Sequence, residues 1–410
     1  MGIVVQKYGG SSVANAERIR SVAKRVVATA AKNQVVVVVS ALGDTTDELI
    51  KLAKEVNPNP PDREMDMLLS TGEQISIALL AMAIHALGKE AISLTGKQVG
   101  IITDSAHTKA KIVEIANCDR VFEELSRGRI VIVAGFQGTT CDDDITTLGR
   151  GGSDTTAVAL AAGLGADLCE IYTDVEGVFT ADPRVVPDAQ KIDRISYEEM
   201  LEMAASGAKV LQMRSVEFGR NYGVAIHVRS SFNESTGTIV KGADEAMEQP
   251  VITGVVHDVS EGKITVFGVP DRPGVAARIF SALAEANINI DMIVQNVSSE
   301  GRSDISFTLP KDDFGKAEAA LKELVIELGA SGYNIDPDIA KVSLIGAGMK
   351  TNPGVAATMF SVLAENGINI EMISTSPIRI ACVIREADVE KAVRALHDEF
   401  KLGQEVSSEL

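Results

Sequence analysis

From the N-terminus to about residue 240, short β-branched runs alternate with alanine-rich amphipathic stretches. The runs Ile3–Gln6, Val35–Val39, Ala91–Leu94, Ile130–Ala134, Glu170–Thr173 and Ala225–Val228 are the predicted strands. Val35–Val39 is an unbroken run of valine, which suits a strand covered on both faces. The segments between carry helical spacing, as at Val13, Ile19, Val22 and Val26. Strands separated by helices predict an α/β fold with a doubly wound, largely parallel sheet. Such sheets bind ligands beyond the carboxyl ends of their strands. Here those ends carry polar, glycine-containing segments: Gly9–Ser12, Ser40–Asp47, Gly135–Gly138 and Thr173–Gly177.

The pattern changes after a polar stretch ending in Pro250, a predicted linker over 244–250. Pro273-Gly274-Val275-Ala276-Ala277 recurs 80 positions later as Pro353-Gly354-Val355-Ala356-Ala357. Leu283-Ala284-Glu285 and Ile288-Asn289-Ile290 recur at the same offset. Each copy reads strand, Pro-Gly helix start, amphipathic helix, turn, strand; proline fits a first helical turn because its missing N–H has no intrahelical partner there. A repeat alone implies a duplicated module and no particular ligand.

Composition narrows the classes. The 410 residues allow two or three domains, and 45% hydrophobic with 23% charged residues is ordinary for a globular chain. A net charge of −18 with no offsetting basic run argues against a nucleic-acid surface. Cys118, Cys141, Cys169 and Cys382 show no metal-type spacing, so no metal site is expected and the thiols read as reduced. No signal peptide is expected, and the apolar stretch Ile75–Leu87 is short for a bilayer span. A cytoplasmic location follows as an expectation.

Lys7-Tyr8-Gly9-Gly10-Ser11-Ser12 joins a strand to a helix, placing backbone N–H groups and a lysine around one point, the outline of a phosphate site. Read alone, the glycine pair serves equally to turn the chain. Gly149-Arg150-Gly151-Gly152-Ser153-Asp154 opens a second helix. Capping explains Ser153 or Asp154 but not Arg150, whose planar fork suits a carboxylate. Thr173-Asp174 through Phe179-Thr180-Ala181-Asp182-Pro183-Arg184 follows a strand and is dense in turn formers, and Lys209 lies in Gly207–Leu211. By itself Lys209 reads as a surface charge, and Glu73 as a helix-start carboxylate.

Together these motifs and the repeat resemble the aspartate kinase (aspartokinase) family over essentially the whole chain, in its monofunctional form. Ser11 stands where threonine is commoner, and Gln212-Met213 where many members have His-Pro. The resemblance implies an amino-acid-kinase-type catalytic domain over 1–243 and two ferredoxin-like (βαββαβ) ACT domains, over 251–341 and 342–410. The strand at 251–258 is open to pairing with the second. The implied reaction is phosphoryl transfer from ATP, with Mg²⁺, to L-aspartate. Lys7, Asp154 and Lys209 take catalytic positions. Lys7, Tyr8, Gly9, Gly10, Ser40, Ser153, Thr173, Asp174, Lys209 and Phe179 to Arg184 match the ATP site. Ser40, Thr45, Asp47, Glu73, Arg150, Gly151, Gly152 and Ser153 match the aspartate site.

The ACT resemblance further implies feedback inhibition by lysine, threonine or both. Asp271, Gly274, Val275, Asp291, Gln295, Asn352, Gly354, Val355 and Asn369 are the implied effector contacts. A homo-oligomer through ACT domains is expected, or an α₂β₂ assembly whose short subunit begins at Met247. Two other readings remain at this point: a kinase of the same fold with another acceptor, and a non-catalytic amino-acid sensor.

Overall fold

The valine run forms the strand Gln34–Val39, with Val35 through Val39 wholly buried. Pleating sends alternate side chains to opposite faces. Val35, Val37 and Val39 join a core with Val22, Val26, Ile77, Leu80 and Ile84 from the helices Ala16–Ala30 and Thr71–His85. Val36 and Val38 face the other side, where the helix Gly152–Leu164 packs against this strand and Ile3–Tyr8. That helix is buried nearly along its length, and its alanines and glycines let it lie close to the sheet. The architecture described here is a computed structural model covering residues 2–116, 118–243, 251–296 and 301–404. The expected linker and Met247 lie outside the described residues.

The main sheet has eight strands in the order Arg194–Ser196, Thr238–Lys241, Ile226–Ser230, Leu168–Thr173, Ile3–Tyr8, Gln34–Val39, Ile130–Ala134, Ala91–Leu94. Every pairing is parallel except that of Thr238–Lys241 with Ile226–Ser230. The chain order places the loops after Tyr8, Val39, Ala134 and Thr173 side by side at one edge, because those four strands are neighbours and parallel. The apolar helical segment is longer than the sequence pattern indicated. Asp62–Leu69 and Thr71–His85 run on as 24 residues, long and apolar enough to cross a membrane by length and composition. Half of the apolar window is buried inside the protein, as in a core helix of an α/β domain.

Two further four-stranded sheets follow. One has the order Ile293–Gln295, Arg302–Pro310, Glu261–Pro270, Gly332–Asp336. With the helices Val275–Glu285 and Phe314–Leu328 it completes a βαββαβ module. The other has the order Gly254–Asp258, Ile339–Ile345, Arg379–Arg385, Met372–Ser376. Its edge strand precedes the first module in sequence, yet pairs antiparallel with Ile339–Ile345. The second module thus borrows the strand its own sequence lacks, resolving the open assignment of 251–258.

Contacts divide the chain into two units that do not follow chain order. The first holds residues up to Val178, Lys191–Ala204 and the stretch from Lys209. The second holds the two ACT-like modules together with Phe179–Gln190 and Ala205–Ala208. Within the second unit, Ala181, Val185 and Val186 share a core with Ile252, Val255, Leu344, Val393 and Leu396. The Val255 N–H donates to the Thr180 carbonyl at 2.7 Å, and Arg394 Nε to the Val185 carbonyl at 2.9 Å.

Candidate active site

The adjacent loops of the first unit enclose a cleft of about 320 Å³. Lys7, Gly9, Gly10, Ser40, Glu73, Arg150, Gly151, Gly152, Ser153 and Asp154 line it, as the sequence motifs anticipate. Lys7 is the penultimate residue of its strand and Asp154 lies in the first turn of the helix behind it. Their Nζ and Oδ1 are 2.5 Å apart, and both residues are over nine-tenths buried. A buried lysine is costly without a counter-charge. Asp154 supplies it and fixes the ammonium at the cleft wall.

Gly10 begins the 3₁₀ turn Gly10–Val13, so its N–H has no partner within that turn. A Cβ at Gly10 would stand 3.0 Å from both the Ala41 and Gly43 carbonyls, too close for a side chain without movement. Gly9 behaves differently: its N–H donates to the Tyr172 carbonyl at 3.3 Å and is not free to face a ligand. Across the cleft, Gly151 has φ +74° and Gln212 lies against it, where a Cβ would meet Gln212 Cγ at 2.0 Å. Arg150, between Gly149 and Gly151, is exposed and lines the cleft.

Glu73 is the most perturbed carboxyl of the cleft. It is 2% exposed, and burial pushes its pKa up to about 8 despite the Ala41 N–H donated to Oε1 at 3.0 Å. Oε2 has no hydrogen-bond partner among the described residues. An orphaned buried carboxylate oxygen facing a cleft is an invitation to a cation.

Other expected residues fall elsewhere. Tyr8 does not line the cleft: alternation along the strand turns its ring away from Lys7 into the core, where it stacks on Tyr172 with centroids 4.7 Å apart and its hydroxyl donates to Gln6 Oε1 at 3.3 Å. Thr45 and Asp47 do not line the cleft; the Thr45 hydroxyl donates to the Leu42 carbonyl at 2.7 Å and Asp47 is exposed. Lys209 is exposed outside it. Thr173 and Asp174 end their strand and bond each other at 3.0 Å. Phe179, Thr180, Ala181, Asp182, Pro183 and Arg184 belong to the second unit. There Arg184 grips Asp182 through Nε at 3.0 Å and a second nitrogen at 2.7 Å, which holds the Asp182 carboxyl below its ordinary pKa.

Sequence reasoning missed Ala41, Gly43, Thr46, Phe136 and Gln212 as lining residues. Ala41, Gly43, Thr46 and Phe136 lay inside flagged strand-end loops. The signal for Phe136 is conformational: it holds φ +66°, a left-handed backbone rare for an aromatic, with its N–H donating to Thr156 Oγ1 at 3.2 Å.

In the second unit a cleft of about 450 Å³ opens at the second Pro-Gly helix start, lined by Asn352, Gly354, Val355, Thr375, Ser376 and neighbours. Gly274 and Gly354 share left-handed backbones, at φ +93° and +103°. Asp271, Gln295 and Asn369 are exposed and do not line this cleft. Asp291 is committed to an ion pair with the buried Lys341.

The sequence pattern of the amino acid kinase family matches residues 2–230, and ACT domain patterns match 263–326 and 342–400. The aspartokinase of Mycolicibacterium smegmatis is 59% identical over 98% of this chain and 97% of its own length. The fold is similar to E. coli aspartokinase III in complex with aspartate and ADP in its R-state, at TM-score 0.81 and 28% identity over 97% of this chain and 99% of that one. It is also similar to the T-state complex of that enzyme with lysine and aspartate, at TM-score 0.75 and 27% identity over 97% and 99% of the two chains. A kinase domain with a paired lysine and aspartate at its glycine loops, two C-terminal ACT domains, and this identity over nearly the full length place the chain in the aspartokinase family.

Proposed function

We propose that the cleft transfers the γ-phosphoryl group of ATP to the β-carboxylate of L-aspartate, giving 4-phospho-L-aspartate. The observation that carries this reading is the convergence of Lys7, Asp154, Arg150 and Glu73 on one cleft at the strand ends. A free side-chain carboxylate has a pKa of about 3.9, so the acceptor is already ionised at neutral pH and needs no base. The obstacle is the approach of one anion to another. Lys7 meets it by neutralising charge on the transferring group, held in place by Asp154, while the Gly10 N–H faces phosphate oxygens. Arg150 takes the aspartate α-carboxylate through its fork. Glu73 takes the ammonium, which satisfies its free oxygen and lowers its pKa.

Lys209, Thr173, Asp174 and the segment Phe179–Arg184 serve the nucleotide, with Mg²⁺ arriving on ATP. The E. coli T-state relative binds lysine. By analogy, lysine, alone or with threonine, inhibits this enzyme through its ACT modules, and Asn352, Gly354 and Val355 at the 450 Å³ cleft are effector contacts. Assembly through ACT modules and a cytoplasmic location belong to the same reading. Hydroxamate formation from aspartate and ATP, measured with and without lysine and threonine, tests it. Turnover with glutamate or acetylglutamate but not aspartate would overturn the acceptor. Indifference to both effectors would overturn the regulation.

A further inference from the structure

His397 is the one histidine with no exposed surface, and its buried Nδ1 has no hydrogen-bond partner among the described residues. The residue sits near the end of the helix Val389–Glu399 in the second unit. Its other nitrogen is accounted for, since Nε2 lies 3.0 Å from the Thr180 hydroxyl. That hydroxyl also accepts the Gln190 N–H at 3.0 Å and lies 3.4 Å from the Leu402 carbonyl. Thr180 thus occupies Nε2 in either tautomer, and Nδ1 is the ring nitrogen left over.

What lies at hand is acidic. A ring nitrogen of His397 and one carboxylate oxygen from each of Asp188 and Asp398 are all within 4.8 Å of one another. With Nε2 bound to Thr180, Nδ1 is the nitrogen available to them. Gly403 packs against Asp188, where a Cβ would stand 2.6 Å from Asp188 Oδ2. The two carboxylates are exposed, but a buried ring nitrogen left unpaired carries a desolvation cost that a bound cation would remove. An imidazole fixed through its second nitrogen is also how metal-binding histidines are oriented.

We propose that Asp188, His397 and Asp398 form a binding site for a divalent transition-metal ion. One nitrogen and two carboxylate ligands suit an ion such as Zn²⁺ or Mn²⁺, with water in the remaining positions; the nitrogen disfavours Mg²⁺ and Ca²⁺, which take oxygen ligands. Asp188 comes from Phe179–Gln190 and the other two ligands from the C-terminal helix, so the ion clamps that segment onto the module it packs in.

The test uses the full chain, treated with chelator and free of nucleotide, titrated with Zn²⁺ in a calorimeter. Nitrogen NMR of the histidine rings is recorded in parallel. The expected result is one ion per chain and a shift of the His397 Nδ1 resonance. Asp188→Ala and Asp398→Ala, both exposed positions that leave the core intact, should each weaken binding at least about tenfold, the lower end of what disturbing a metal site costs. His397→Ala, which opens the core, is not needed. No binding at millimolar Zn²⁺, equal binding in both variants, or an unshifted Nδ1 resonance overturns the assignment; the last two outcomes would place the ion elsewhere, for example at the exposed Cys141.

Discussion

Replacing Glu73 with glutamine separates charge from shape at the position proposed to take the substrate ammonium. With a pKa of about 8 in the cleft, about 9% of Glu73 is ionised at pH 7 and about half at pH 8. If only the ionised form pairs with the ammonium, apparent affinity scales with that fraction. The aspartate KM should then fall about fivefold from pH 7 to pH 8 and level off above. Because the ammonium lowers the carboxyl pKa, binding at pH 7 should release about 0.9 proton. Calorimetry in two buffers of different ionisation enthalpy measures that proton directly. Glu73→Gln should release none and show a flat profile. Against the fully ionised wild type it loses one charge-assisted hydrogen bond, about 1.5–3 kcal/mol, or about a 10- to 150-fold higher KM. Stability moves the opposite way. The folded pKa lies above the unfolded value of 4.5. The unfolded chain therefore ionises Glu73 first, and the wild type loses stability as pH rises from about 4.5 to about 8. Glutamine has no such loss, so its melting temperature relative to wild type should climb across that window. A wild-type KM and proton release indifferent to pH, or an unchanged profile in the variant, refutes the reasoning.

Lys7→Ala should lower kcat by about 10²–10³-fold, the range for removing one preorganised charge stabiliser, with circular dichroism checking the fold because Asp154 is left buried and unpaired. Arg150→Ala should raise the aspartate KM and spare the ATP KM in initial-rate kinetics; the reverse split would reassign Arg150 to the nucleotide. Tyr8→Phe should leave kcat and both KM values near wild type while costing about 0.5–1.5 kcal/mol in urea unfolding, the net value of its hydrogen bond. A large loss of ATP affinity would return Tyr8 to the site.

The pattern of apolar positions was enough for the parallel sheet because burial on both faces leaves a signature that few other environments produce, as at Val35–Val39. The cleft was legible where chemistry and backbone demand coincide: Lys7 and Gly10, or Arg150 between two glycines. It was illegible where a side chain's direction decides. Tyr8 adjoins Lys7 in sequence and stands on the opposite face because a strand alternates. Phe136 lines the cleft through a left-handed backbone that no residue type announces. The pKa of Glu73 arises from the whole packed surround and is written in no neighbour.

The segment Phe179–Gln190 shows a different limit. Sequence order assigns it to the catalytic half, and its Thr-Ala-Asp-Pro-Arg stretch resembles nucleotide-site residues. Its apolar positions, Ala181, Val185 and Val186, answer to another core, that of the second ACT-like module. Periodicity says that these positions are buried but not against what. The borrowed strand Gly254–Asp258 fails to announce its partner for the same reason, since a strand's sequence encodes its covered face and not the edge it joins. The segment is tied covalently to the first unit at Val178 and Lys191. A rearrangement of the second module must therefore carry Thr180 and Asp182 with it, because their backbone and core contacts lie inside that module. If the segment serves ATP as proposed, effector binding then reaches the nucleotide through the chain itself, with no relay of side chains required.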